Sequence, residues 1–307
     1  MLMGEYAVLK DYPAVVAAIN QRITATLTPS PANSIIIQSA LGEETIKHYH
    51  TIPNSRTFSY ITECLRLYQS QFTQGFTLNI ISDFSSEMGL GSSAAVTVAV
   101  LSVLSQYTDK APADEITLLK NSLTVIHAVQ GKGSGADAAA SIFGGVIQYK
   151  SSSLEIEKLA PQPALTVIYS GHKTTTTQAI QSIEKRRADN PESIDQLYHN
   201  IGTLAEQSVP CFKKEDWKTL GKLFQQSQEA MTLLDVSTNS INQIINTLEK
   251  QHGVLGAKIS GSGLGDCVIA LGTINKGLFP ENKTQKKNNI QQLTVAISPK
   301  GVLHHVN

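Results

Sequence analysis

Ser85-Ser86-Glu87-Met88-Gly89-Leu90-Gly91-Ser92-Ser93-Ala94-Ala95 is the stretch on which the reading of this chain turns. Two glycines that permit close backbone approach are followed by paired serines. Val96, Val100, Val103 and Leu104 then recur at helical spacing. Val98, Ala99 and Leu101 make that helix apolar nearly all round, which predicts that it is buried. The start of such a helix presents unpaired N–H groups and the positive end of its dipole, a combination suited to a polyphosphate. Small residues are required there because a larger side chain would hold phosphate away from the backbone. The pattern is not the G-x-x-x-x-G-K-S/T of a Walker A loop. A tight turn with a serine N-cap would use the same residues, so the run alone leaves both readings open.

Two further glycine-rich loops carry chemistry. Gly131-Lys132-Gly133-Ser134-Gly135-Ala136-Asp137 leads into Ala138-Ala139-Ala140-Ser141. A carboxylate in such a turn can be held at a cleft, where in phosphoryl transfer it would position and deprotonate a hydroxyl nucleophile. Asp137 serving as N-cap ahead of Ala138 is the structural alternative. Lys132 reads as solvated. Ser260 to Gly265 places three glycines between the apolar stretches Val254–Ile259 and Asp266–Leu271. That is more glycine than a hairpin needs and suggests backbone held close to something, although an ordinary glycine-rich hairpin fits too.

Outward from these loops, Met1 to Leu9 reads as the end of a buried strand, and Ala14 to Ile19 as a short helix or strand. Strands are predicted at Ile23–Leu27, Ser34–Gln38 and Phe76–Ile81, with a helix over Phe58–Phe72. Asp114 would cap a helix with Ile116, Leu119, Leu123 and Ile126 on one stripe, ending at Gly131. Val146–Tyr149 and Leu165–Tyr169 are strand-like, and helices follow near 176–188, 194–209, 217–234 and 240–251. Lys276 to Asn289 is polar and predicts a mobile loop, and Gln291–Ile297 an edge strand. The serines and prolines of Lys150–Pro163 mark a domain boundary, dividing the chain into 1–155 and 156–307.

Twenty-five basic and 25 acidic residues cancel, which removes the electrostatic reason to expect nucleic acid or an anionic membrane as partner. Cys64, Cys211 and Cys267 lie far apart without metal-ligand spacing and read as reduced, buried thiols. No run is long and apolar enough to span a bilayer, and no basic-then-apolar signal is seen. A soluble cytoplasmic protein is expected.

Taken in order, the segments resemble the GHMP kinase superfamily across nearly the whole chain. Gly4-Glu5-Tyr6-Ala7-Val8-Leu9 with Tyr12-Pro13-Ala14 is similar to the family's first motif, Gly89 to Ala95 to its second and Ser260 to Gly265 to its third. Within the family, Ser134-Gly135-Ala136-Asp137 and Gly256-Ala257-Lys258-Ile259-Ser260-Gly261-Ser262-Gly263-Leu264-Gly265 resemble the mevalonate kinase branch. The resemblance implies an α+β GHMP kinase fold, with an N-terminal domain like domain 2 of ribosomal protein S5 and a ferredoxin-like C-terminal domain. It implies ATP and Mg²⁺, with Gly89, Leu90, Gly91, Ser92, Ser93 and Ala94 binding nucleotide and Ser93 a metal ligand. Asp137 would be the catalytic base, and Glu5, Tyr6, Ser134, Gly135, Gly261, Ser262 and Gly263 would line the substrate site. The partners implied are ATP and a small molecule, and a homodimer is left open.

Four departures from the branch stand out. Its lysine belongs to a Pro-Gly-Lys segment upstream of Gly4, and the chain as it stands begins after that point, inside the natural first element on this reading. Tyr6 stands where histidine is usual, Ile126 beside His127 stands where a metal-binding Glu is usual, and Ser85 and Glu87 replace Pro and Gly. Mg²⁺ prefers oxygen ligands, so His127 reads as a helix-face histidine with a hydrogen-bond partner. Lys173 and Thr174–Thr177 would supply charge or hydroxyls to substrate or simply open a helix. The acceptor expected is the 5-hydroxyl of mevalonate. Phosphomevalonate is the alternative, for which Lys132, Lys173, Arg186 and Arg187 are the basic candidates, and a catalytically silent relative is the third reading.

Overall fold

The computed structural model describes residues 1–174 and 176–305. The chain divides into two compact units, neither contiguous. The first comprises Met1–Asn20, Ser86–Leu90 and Gly144–Pro299, and the second Gln21–Ser85, Gly91–Phe143 and the segment from Lys300. This differs from the single cut expected at Lys150–Pro163. The reason is strand pairing: β1 (Ala14–Ala17) hydrogen-bonds along β6 (Val146–Lys150), in register Ala14 to Tyr149, and so ties the first twenty residues to the second half of the chain.

The second unit holds a four-stranded sheet of β2 (Ile23–Ser30), β3 (Ile35–Ser39), β4 (Gly42–Ile46) and β5 (Gly75–Ser82) in the order β2-β5-β3-β4. The expected alternation is present: Leu27 faces Leu78 and Ala25 faces Ile80 across the β2–β5 ladder. Helices α1 (Ser59–Tyr68), α2 (Ser92–Asp109), α3 (Glu115–Gln130) and α4 (Ala136–Phe143) complete the unit, with α2 packed on β2, α1, α3 and α4. Surrounded in this way, α2 buries Val98, Val100, Leu101 and Leu104, as its all-round apolar composition predicts. Asp114 caps α3 as expected, accepting from the Ile116 and Thr117 amides. The buried face of α3 is rotated from the predicted stripe, however, to Leu118, Leu119, Ser122, Val125 and Ile126. Ser122 can be interior because its hydroxyl donates to the Leu118 carbonyl at 2.7 Å.

In the first unit, β1, β6 and β7 (Glu155–Leu159) form an antiparallel sheet. A second antiparallel sheet contains β8 (Leu165–Tyr169), β9 (Val254–Ser260), β10 (Cys267–Gly272) and β11 (Gln291–Leu293) in the order β11-β8-β10-β9. Counted along the chain this is fourth, first, third, second, the ferredoxin-like arrangement. Helices α5 (Thr176–Asp189), α6 (Pro191–Lys213), α7 (Trp217–Leu233) and α8 (Asn239–Glu249) lie between β8 and β9 in sequence. Strand β10 is buried on both faces. Val268 and Ala270 enter a core with Ile244, Ile245 and Ile259, while Cys267, Ile269 and Leu271 enter another with Phe212 and Phe224. Helix α7 lies directly on β9, where a side chain added at Gly256 would stand 2.2 Å from the Gly221 carbonyl oxygen.

Local differences from the sequence reading concern short elements. Met1–Leu9 is not a strand: Met3 makes an isolated bridge to Val15, and Ala7–Lys10 closes into a 3-10 turn. Lys276–Asn289 contains a helix, α9 (Lys283–Lys287), capped by Asn282. β4 and β7 are polar edge strands whose patterning gave no signal.

Candidate active site

In the second unit, the start of α2 meets Asp137. Gly91 occupies the N-cap in the left-handed region, φ 75° and ψ 28°. Glycine has no side-chain oxygen to satisfy the amides of the first turn, unlike the Asp114 cap of α3. A Cβ built on Gly91 would lie 3.4 Å from Cβ and Cγ of Asp137 and 3.5 Å from its Oδ2. The carboxylate therefore stands at contact distance from the helix start, where the macrodipole favours negative charge. Asp137 is exposed and sits inside α4 rather than capping it. Ser134 accepts the Ala136 amide at 3.3 Å, and the Gly135 carbonyl accepts from Ala139 at 2.8 Å. Ala136, Ala138, Ala139 and Ala140 are buried, and they fix the orientation of the short helix that presents the acid.

The end of α3 shapes the loop before Asp137. Gly131 terminates the helix at φ 76° with its N–H on the His127 carbonyl. The Ile126 side chain leaves no room for a Cβ at Gly133, and His127 Nε2 lies 2.9 Å from the Gly133 carbonyl oxygen. His127 thus has the backbone partner expected of it. Among the described residues no group of three His, Cys, Asp or Glu side chains could hold a metal. The Ser93 hydroxyl in the first turn of α2 is a hard oxygen donor of the kind Mg²⁺ prefers, and it suits a cation that keeps most of its ligands from water and phosphate.

The glycine run quoted first is divided between units, since Ser86–Leu90 belongs to the first and Gly91 onward to the second. In the first unit three loops are joined around Asp266. A Cβ on Gly89 would stand 2.6 Å from Asp266 Oδ1, so this glycine makes room for a protein side chain. The Asp266 amide donates to the His172 carbonyl at 2.6 Å, Thr174 Oγ1 to the Leu264 carbonyl at 2.9 Å, and Lys173 Nζ to the Ser86 carbonyl at 2.5 Å. Thr175 lies outside the described residues. In the third glycine loop, Gly263 is pressed on the Val236 carbonyl and Gly265 on that of His172, whereas Gly261 faces open space. The close neighbour inferred from three glycines is, for two of them, the protein's own backbone.

Glu5 and Tyr6, expected at the substrate site, are buried in the first unit. Lys258, on β9, is fully buried and donates from Nζ to Glu5 Oε1 at 2.5 Å and to the Ile259 carbonyl at 2.5 Å. Burial pushes the Lys258 pKa down, and the carboxylate of Glu5 opposes that shift. Glu5 Oε2 and Ser262 Oγ are buried without a hydrogen bond among the described residues. Tyr6 holds φ 62° and ψ −43°, a strained conformation for a bulky residue that costs about 1–3 kcal/mol. Its hydroxyl donates to the Ser262 carbonyl, and its pKa is raised, first by burial and then by Tyr198, Glu5 and Asp266, so it remains a neutral donor. Sequence reasoning gave Lys258 and Asp266 no role of their own. A lysine inside the apolar run Val254–Ile259 was the available signal for the first.

A family model for the N-terminal domain of GHMP kinases matches residues 59–145, and one for the C-terminal domain matches 208–293. Together they cover more than half of the chain. The chain belongs to the GHMP kinase family. As a GHMP kinase it is a phosphotransferase, and its family uses ATP as phosphoryl donor. It is similar to the mevalonate kinase of Thermococcus sibiricus, 28% identical over 291 residues that span 88% of this chain and 86% of that protein. Among solved structures, the Lin0012 protein of Listeria innocua matches this GHMP kinase with a TM-score of 0.83 at 22% identity, over 96% of this chain and 94% of that one. Methanococcus jannaschii mevalonate kinase matches with a TM-score of 0.76 at 21% identity, over 96% and 95%. The expected fold is therefore present. Among the described residues no helix is long and apolar enough to cross a membrane.

Proposed function

We propose that this GHMP kinase transfers the γ-phosphoryl group of ATP to the 5-hydroxyl of mevalonate, in the synthesis of isoprenoid precursors. The observation that carries the reading is the Asp137 carboxylate held against Gly91 at the uncapped start of α2. The first-turn amides and dipole of α2 take up charge on the triphosphate oxygens. Asp137 accepts the proton of the acceptor hydroxyl as its oxygen bonds to the γ-phosphorus and the bond to ADP breaks. Ser93 is the side chain that would hold a Mg²⁺ bound with the nucleotide, which would supply neutralisation of phosphate charge, leaving Asp137 free to take the proton. Of the acceptor contacts that the resemblance implies, Gly261, Ser262 and Gly263 belong to the third glycine loop of the first unit.

Two observations support an unphosphorylated acceptor. Curated relatives that bear the mevalonate kinase name match most of the chain. Of the four basic candidates for a phosphorylated substrate, three are engaged within the protein, Arg187 with Asp195, Arg186 with the Leu233 carbonyl and Lys173 with the Ser86 carbonyl, and Lys132 is exposed in the loop before Asp137.

The test is ADP release measured with mevalonate, phosphomevalonate, galactose and homoserine in parallel. Turnover with mevalonate far above the other three is the expected result. Preference for phosphomevalonate would transfer the assignment to that substrate, and ADP release with none of the four would overturn the proposal.

A further inference from the structure

We infer that Lys258 is a positioning residue: by holding Glu5 it fixes the turn that carries Tyr6, and through Tyr6 it sets the Ser260–Gly265 loop. The inference rests on reading that loop as part of the acceptor site.

The geometry is a chain of short contacts within the first unit. Lys258 and Glu5 are 0% and 2% exposed, and the ammonium spans from the Glu5 carboxylate to the Ile259 carbonyl, next to the loop. The Phe224 ring closes the ammonium in, 5.9 Å from Nζ. At the other end the Gly4–Tyr6 turn has no slack. Gly4, at φ 94°, is backed by Pro13 and Ala14 so tightly that a Cβ would meet the Pro13 carbonyl oxygen at 2.6 Å. Glu5 is held by Lys258, and Tyr6, in the left-handed region, spends its hydroxyl on the Ser262 carbonyl. Farther along, the loop is tied at Leu264, whose N–H donates to the Val236 carbonyl at 2.7 Å and whose carbonyl accepts from Thr174 Oγ1 at 2.9 Å, so the Tyr6 contact serves the Gly261–Ser262 end, where Gly261 faces open space.

A buried ion pair placed for stability alone is a weak device, because desolvation offsets most of its attraction. Here the pair joins the Gly4–Tyr6 turn to the root of a glycine-rich loop whose Ser260 hydroxyl also donates to the Met1 carbonyl at 2.9 Å. Such a loop needs an external brace if its amides are to meet a substrate at a fixed distance. Neither Glu5 nor Lys258 is open to a ligand, so Glu5 acts through Tyr6, and Lys258 through Glu5 and through the Ile259 carbonyl that it holds.

The test compares Lys258→Met, Tyr6→Phe and the two combined, with Glu5→Gln/Lys258→Met as a variant that leaves no unpaired buried charge. Each is read by steady-state kinetics and by hydrogen exchange of the peptide spanning residues 260–266. The expected result is a rise of roughly three- to tenfold in the acceptor KM for Lys258→Met and for Tyr6→Phe, with the ATP KM within about twofold. The combined variant should fall well short of the product of the two single effects, because both substitutions loosen the Tyr6–Ser262 contact. Exchange should quicken in residues 260–266 and stay unchanged in α2. Multiplying effects in the combined variant would overturn the inference. So would a loss of thermal stability with unchanged KM and unchanged loop exchange in every variant that folds. Exchange is recorded without substrate, so a protein that phosphorylates none of the four alcohols still reveals whether Lys258 braces the loop, and the mevalonate reading then fails by itself.

Discussion

Asp137 is the residue on which turnover should depend most steeply. Its amide isostere keeps the shape beside Gly91 and removes the proton acceptor. Asp137→Asn is therefore expected to lower kcat by a factor on the order of 10² or more with the ATP KM little changed. Steady-state kinetics checks this, and full activity of the variant would remove Asp137 from the chemistry. The three thiols make the opposite case, of reactive groups kept inert. All are unpaired and buried, and burial raises each thiol pKa, that of Cys267 to about 12 with help from Asp266. Only the thiolate is a nucleophile. Iodoacetamide at pH 8 should thus leave Cys64, Cys211 and Cys267 unmodified in the native protein and label all three in denaturant, as read by mass spectrometry.

The elements are held by features that differ in how visible they are in a sequence. The Asp114 cap was legible because the cap residue and the apolar run it starts are neighbours. Its pKa is lowered by the Thr117 hydroxyl and by backbone amides, so its contribution is present above the ordinary aspartate value and disappears as pH falls through the folded one. Asp114→Ala should melt earlier at pH 7, with the difference closing below about pH 4 in thermal melts. The contact of α7 with β9 was not legible. Gly256 belongs to a motif and invites a ligand-based explanation, yet its missing side chain is needed because the Gly221 carbonyl lies against it. Backbone cannot swing aside as a side chain can, so Gly256→Ala should cost about 1–3 kcal/mol in a urea melt. The rotated face of α3 was missed for a similar reason. A serine that satisfies itself on the preceding turn can be interior, and periodicity of apolar residues does not register it. Strands β4 and β7 escaped because polar edge strands lack alternation.

At the scale of the molecule, the three glycine loops were legible from composition and order, and the ferredoxin-like second half was implied by the family resemblance that those loops carry. The arrangement of partners was not. Nothing local in Ala14–Ala17 says that it pairs with Val146–Lys150, and no pattern places Lys258 on Glu5, since pairings between distant segments leave no periodic trace. A nucleotide held at α2 should stabilise the whole fold by mass action, about 2.7 kcal/mol at a hundred times its dissociation constant. Asp137→Asn should retain that stabilisation in a thermal shift with ATP and Mg²⁺, because the triphosphate is gripped by amides and not by the acid. The pairing of β1 with β6 also bears on how the protein is made. Translation releases Ala14–Ala17 long before its ladder partner, Val146–Tyr149, leaves the ribosome. Through that interval the nascent chain carries an apolar strand with open edges, the kind of segment that chaperones shield from aggregation.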